Sequence, residues 1–350
     1  MITRRLACTA IAAAAIALTA ALAAPHASAA PSARGVSGRW LMDFDRDGTV
    51  QLTLKRRDGH NNWNSSDDFR VADFQGLTVP AGAADVPAKF ALRRDAGTIS
   101  FEGAVNDAGG SGRFTFEPSA EYLSALSKLG YAQPDEDDTF SLAVHDVSRA
   151  FLRDLDSLGY PRISLDDAVA MRIHGAGPEF IRELQAMGYK KLSADDLVAM
   201  RIHGATPEFI RELQAMGYGS LSSDDLVAMR IHGASPEFIR EMKSLGYNKL
   251  STDDLVAMRI HGVSPGFVKE MAALGYKNVE ADDLVAMKIH DVTPEYARGL
   301  QELGYRNITV DDLVAMRIHN VTLDYARKMK ERYKDATADD VVSMRIHGRR

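Results

Sequence analysis

The sequence predicts a two-domain α+β protein, a small antiparallel β-meander followed by an α-solenoid of about eight short helical hairpins. Three observations carry that expectation. His145, His174, His203, His232, His261, His290 and His319 recur every 29 residues and His347 follows after 28, a fixed period that marks a stacked repeat array. Ahead of the array, residues 39–117 alternate apolar and polar side chains with period two, as strands with one buried face do. With 350 residues, 45% hydrophobic and 26% charged, the chain is long enough for two folded domains.

The N-terminus reads as an export signal over residues 1–29. Arg4 and Arg5 precede an apolar, alanine-rich run, and Ala27, Ser28 and Ala29 supply the small residues of a cleavage site. This places the mature chain in a secreted or periplasmic setting, with either the general or the twin-arginine route open. Pro25 and the alanine content argue against a membrane anchor, and nothing later is apolar enough to span a bilayer. Cys8 is the only cysteine and falls in the signal, so neither disulfides nor thiolate chemistry are expected afterwards. The net charge of −6 becomes −8 without Arg4 and Arg5, which disfavours a polyanionic partner.

The β domain is expected over residues 35–117. Trp40, Met42 and Phe44 alternate with Leu41, Asp43 and Asp45, and Val50, Leu52 and Leu54 alternate with Gln51, Thr53 and Lys55. Residues 45–48 and 95–97 supply tight hairpin turns, and residues 107–110 a looser one. Five or six strands follow, with Phe90, Leu92, Ile99, Phe101, Phe114 and Phe116 on the inner face. Residues 58–86 are polar and read as a loop, in which His60 and Trp63 form a candidate ligand site.

The helical array is expected over residues 118–348. In the unit from 204 to 232, Thr206 is an N-cap, Pro207 suits the first turn, and Phe209, Ile210, Leu213 and Met216 form an apolar stripe. Gly217 stops that helix and Tyr218 packs back on it. Ser222 and Asp225 then form a capping box opening a second helix, whose buried face is expected to hold Leu226, Val227, Met229 and Ile231. After each histidine stands Gly, Asp or Asn (Gly175, Gly204, Gly233, Gly262, Asp291, Asn320, Gly348), the residues that tolerate a left-handed helix stop. Such short helices are marginal alone, so neighbouring hairpins must stack.

Repeated histidines invite a metal reading, but stacked helices lie about 8–10 Å apart while zinc ligands sit about 2 Å from the ion. Each histidine instead ends a helix, where its ring can cap carbonyls. The acidic pairs, such as Asp195 with Asp196 and Asp224 with Asp225, read as caps rather than calcium or catalytic carboxylates. No zinc-peptidase, nucleophile-elbow or phosphate-loop motif occurs, so neither a catalytic centre nor a cofactor or metal is expected. Residues 200–207, MRIHGATP, have some likeness to a helix-hairpin-helix DNA-backbone element. Residues 118–350 nevertheless hold 29 basic and 36 acidic side chains, which argues against nucleic acid.

The segment GATPEFIRELQAMGY at 204–218, continued by LSSDDLVAMRIH at 221–232, resembles a bacterial repeat family of unassigned function. Similar repeats accompany membrane metallopeptidases that resemble β-lactam-sensing antirepressors. The stretches at 38–40, 94–98 and 101–103 are similar to the sheet domain that often precedes those repeats. The resemblance implies an envelope-facing accessory or sensor module. The zinc motif and membrane helices of the peptidases are missing, so no proteolytic role carries over.

The expectation is therefore a non-catalytic exported protein that binds a protein or peptide. The second helix hardly varies between copies while the first does, so the expected binding face lies on the first helices, at Glu208, Arg211, Glu237, Arg240, Lys269, Glu295 and Arg298. The alternative is a small-ligand or enzymatic site at the junction of the β domain and the first repeats, built on His60, Trp63 and nearby acids.

Overall fold

The structure, a computed structural model, describes residues 35–45, 47–58 and 61–348; the export signal and His60 lie outside these. The chain divides into two compact units. The first comprises the described residues up to 93, together with 97–119 and 134–140; the second takes 94–96, 120–133 and everything from 141 onward.

The first unit is built on a seven-stranded antiparallel sheet: β1 (Ser37–Phe44), β2 (Thr49–Asp58), β3 (Asn61–Arg70), β4 (Phe74–Gln75), β5 (Val86–Arg94), β6 (Gly97–Val105) and β7 (Gly109–Pro118). Their order is β3-β2-β1-β7-β6-β5-β4, so β1 pairs with both β2 and β7. Successive strands are neighbours everywhere except between β3 and β4, as expected of an antiparallel meander, and the first strand lies in addition beside the last. The loop expected over 58–86 is corrected, since residues 61–70 pair with β2 along their whole length. The polar content of β3 follows from its place at one end of the strand order: Asn64, Ser66 and Asp68 are exposed and alternate with half-buried residues. A single 3₁₀ turn at Val71–Asp73 links β3 to β4, and Phe69 and Phe74 meet edge to face at 5.5 Å. The two ends of the strand order are thereby brought together and the sheet curls.

The predicted inner-face residues fill the curl. Trp40 is 2% exposed and meets the rings of Phe90 at 5.3 Å and Phe101 at 6.2 Å. Gly103 and Gly112 stand opposite one another beside it. A Cβ on Gly112 would come within 2.1 Å of the Glu102 carbonyl and 2.7 Å of the Trp40 ring nitrogen, so only glycine admits this approach.

The second unit contains the repeats. Among the described residues sixteen helices, from α1 (Ala120–Lys128) to α16 (Ala338–Ile346), pair into eight hairpins, the start of α2 (Glu136–Val144) being counted with the first unit; α7 (Pro207–Ala215) and α8 (Ser223–His232) are typical. Second helices pack on second helices, α4 (Leu165–His174) on α6 (Ala194–Ile202) and α6 on α8, and first on first, α5 (Pro178–Ala186) on α7 and α7 on α9 (Pro236–Ser244), giving a two-layered solenoid. The stops are those expected from sequence: Gly217 takes φ 94° and the Tyr218 N–H donates to the Leu213 carbonyl at 3.0 Å. The position after each histidine is left-handed in every copy, including Asp146, Asp291 and Asn320. No helix of the described residues is long and apolar enough to cross a membrane.

Candidate partner-binding surface

The two helix types bury different amounts of themselves. In α7, Pro207, Phe209, Ile210 and Leu213 are buried, whereas in α8 only Leu226 and Met229 are. Ile231, expected inside, is 44% exposed. At about 100° per residue, Ile231 lies roughly 200° around the helix from Met229, on the side away from the core. The same holds along the array: Ile173, Ile202, Ile231, Ile260, Ile289, Ile318 and Ile346 are all between 44% and 55% exposed. Because equivalent helices pack side by side, these residues form a row across the second-helix layer.

The aspartate pairs divide their labour. In each capping box the second aspartate reaches back, as Asp196 does to the Ser193 N–H at 2.9 Å, while the Ser193 hydroxyl accepts from the Asp196 N–H at 3.0 Å. Partial burial pushes the Asp196 carboxyl up, but hydrogen bonds from Ser193 and Ser223 outweigh it and hold the group below its usual range. The first aspartate of each pair is not a cap. Asp166, Asp195, Asp224, Asp253, Asp282, Asp311 and Asp339 are exposed, and none has a hydrogen-bond or ion-pair partner among the described residues. Asp195, Val198 and Ile202 stand at i, i+3 and i+7 on one helix face, and every copy from α4 to α16 repeats this set.

Six of the histidines do not cap with their rings as expected. The helix end is closed from the next repeat: Arg230 Nε donates to the His203 carbonyl at 3.4 Å, and Arg172 Nε to that of His145 at 3.0 Å. The rings of His174, His203, His232, His261, His290 and His319 have no hydrogen-bond partner among the described residues, whereas that of His347 bonds to the Ser343 carbonyl at 2.8 Å. Among the described residues no three His, Cys, Asp or Glu side chains gather as a metal site would require.

The first-helix residues expected to form the binding face are largely engaged with one another. Arg211 bridges Glu183 of the preceding repeat at 3.0 Å and Glu208 at 3.3 Å, and Arg240 bridges Glu212 at 2.6 Å and Glu237 at 3.2 Å. Lys269, Glu295 and Arg298 are exposed, and no ion pair is formed by them among the described residues. Glu295 instead turns to its own helix start, where its backbone N–H and Thr293 hold its carboxyl below the usual range.

In the first unit, Trp63 lies on β3 against Phe140, edge to face at 5.3 Å, and borders an open groove of about 830 Å³. The groove is lined by Arg39, Lys55, Arg56 and Arg113 rather than by carboxylates. Arg39 stands directly opposite Lys55 on one side and Arg113 on the other, a row of three cations across adjacent strands.

No protein-family model matches the chain, and no curated protein matches it at a significant level.

Proposed function

We propose that this is a non-catalytic binding protein of the bacterial envelope, an accessory or sensor module whose helical array takes a protein or peptide along the outward face of its second helices. One observation carries the reading, the row of seven exposed isoleucines. Isoleucine is a poorer helix former than alanine or leucine, and one about half exposed adds little to the core. Packing therefore gives little reason for the same residue in seven successive copies, while a partner lying across the layer does. The first helices vary over the same copies, and Arg211 and Arg240 on them are engaged in bridges to the preceding repeat. Solenoids serve as extended binding surfaces because each repeat adds one more contact in register.

A random peptide display library selected on the immobilised full chain tests this. Enriched peptides are expected, and they should lose binding to a chain carrying Ile202→Ser, Ile231→Ser and Ile260→Ser. No enrichment, or enrichment indifferent to these substitutions, sinks the reading.

A further inference from the structure

We infer that the occupant of this face is a cationic chain that repeats an apolar and a basic residue every third position in an extended, polyproline-II-like conformation; this rests on the peptide-binding reading above. The charge follows from the row of seven exposed aspartates without partners that runs beside the isoleucines. Asp195 precedes Ile202 by seven residues, so the two rows lie about 10 Å apart along the helix axes. A lysine or arginine on a chain seated over the isoleucines spans that distance with its long flexible stem. A basic side chain that reaches the aspartates finds carboxylates without partners, an acidic one in the same place is repelled, and an apolar one leaves them unpaired.

The conformation follows from the pitch. Helices packed side by side repeat about every 8–10 Å. A polyproline-II chain rises about 3.1 Å per residue with three residues per turn, so each of its faces recurs about every 9.3 Å, in step with the rows. A β-strand presents one face about every 6.6 Å and loses register within two repeats, and an α-helix presents one about every 5.4 or 10.5 Å. Three residues per turn also give the occupant three faces: one for the isoleucines, one for the aspartates and one for solvent.

Calorimetry on the full chain with synthetic peptides of tandem Leu-Pro-Lys, Leu-Pro-Ser and Leu-Pro-Glu triplets decides the matter. The lysine peptide is expected to bind at least about tenfold tighter than the serine peptide, with affinity falling as salt rises, and the glutamate peptide not at all. Asp195→Asn, Asp224→Asn and Asp253→Asn together should bring the lysine peptide down to the level of the serine peptide, with the thermal unfolding midpoint by circular dichroism confirming an intact fold. Equal binding of the lysine and serine peptides, or unchanged binding by the asparagine variant, overturns the charge; if that binding is still lost in the Ile202→Ser, Ile231→Ser, Ile260→Ser chain, the peptide-binding reading itself survives. Equal binding of a lysine peptide of the same composition with the period broken overturns the conformation. Failure of all the peptides overturns the inference, and an empty library selection beside it overturns the function as well.

Discussion

Arg230 stands over the ring of Phe209, its guanidinium carbon 5.0 Å from the centroid, while its Nε donates to the carbonyl of His203 in the preceding repeat. One side chain thus closes its own hairpin and ties it to its neighbour. The arrangement recurs with Arg172 over Phe151, Arg201 over Phe180 and Arg317 over Tyr296. Arg230→Ala is expected to destabilise the array by about 1–2 kcal/mol. Arg230→Lys should cost less, because Lys288 already holds the same place over Phe267 at 5.1 Å. Urea unfolding of both variants checks this; equal losses would mean that the ring contact contributes nothing.

The exposure of the isoleucines has a direct consequence for stability. Ile231→Ser is expected to change it by less than about 0.5 kcal/mol, whereas Met229→Ala, two residues away and fully buried, should cost about 2–4 kcal/mol. A large loss from Ile231→Ser in thermal unfolding would show that the row packs rather than faces solvent.

At α12 (Ala281–Ile289) the cap is missing: Glu280 occupies the N-cap position and makes no side-chain cap bond. Burial, then the charges of Asp311, Glu280 and Asp282, push the Asp283 carboxyl above its usual range. A raised acid stabilises the fold most below its unfolded pKa and loses that contribution as pH rises through the folded value, so Asp283 works against the array at neutral pH. Glu280→Ser should restore the box and stabilise by about 1 kcal/mol at pH 7. Asp283 would then resemble Asp196, whose lowered pKa means its contribution disappears as pH falls, so the gain should shrink in acid. Unfolding at neutral and acid pH measures both parts, and a gain that grows in acid contradicts the sign.

Tyr218 ends its helix as its place in the sequence suggests, but its hydroxyl also donates to the Leu250 carbonyl of the next repeat at 2.9 Å, as Tyr247 does to Val279. Tyr218→Phe is therefore expected to cost about 1 kcal/mol and to speed amide exchange in the linker around Leu250. Exchange confined to the helix that Tyr218 itself ends would count against the tie.

In the sheet, Gly112→Ala forces a Cβ against the Glu102 carbonyl and the Trp40 ring. A loss of several kcal/mol, read as a fall in the unfolding midpoint together with changed Trp40 fluorescence, is the expected result.

The sequence alone determined what depends on local backbone chemistry. The 29-residue period, the caps at Thr206 and Ser222, the left-handed stops from Gly175 to Gly348 and the inner face of the sheet were all readable, because capping, positive φ and period-two burial act between residues close in the chain. What needed the tertiary structure was everything set by neighbours distant in sequence. Polar residues 61–70 form a strand because β2 offers them a partner, and β1 sits beside β7 because the sheet curls. Ile231 faces outward because packing on both sides of the second-helix layer uses only the narrow Leu226–Met229 stripe, which an apolar run of Leu, Val, Met and Ile does not reveal. For the same reason the second helix, which hardly varies between copies, presents the exposed aspartates and isoleucines. On the varying helix, Arg211 and Arg240 instead bridge to the preceding repeat, a pairing set by the stacking of the hairpins.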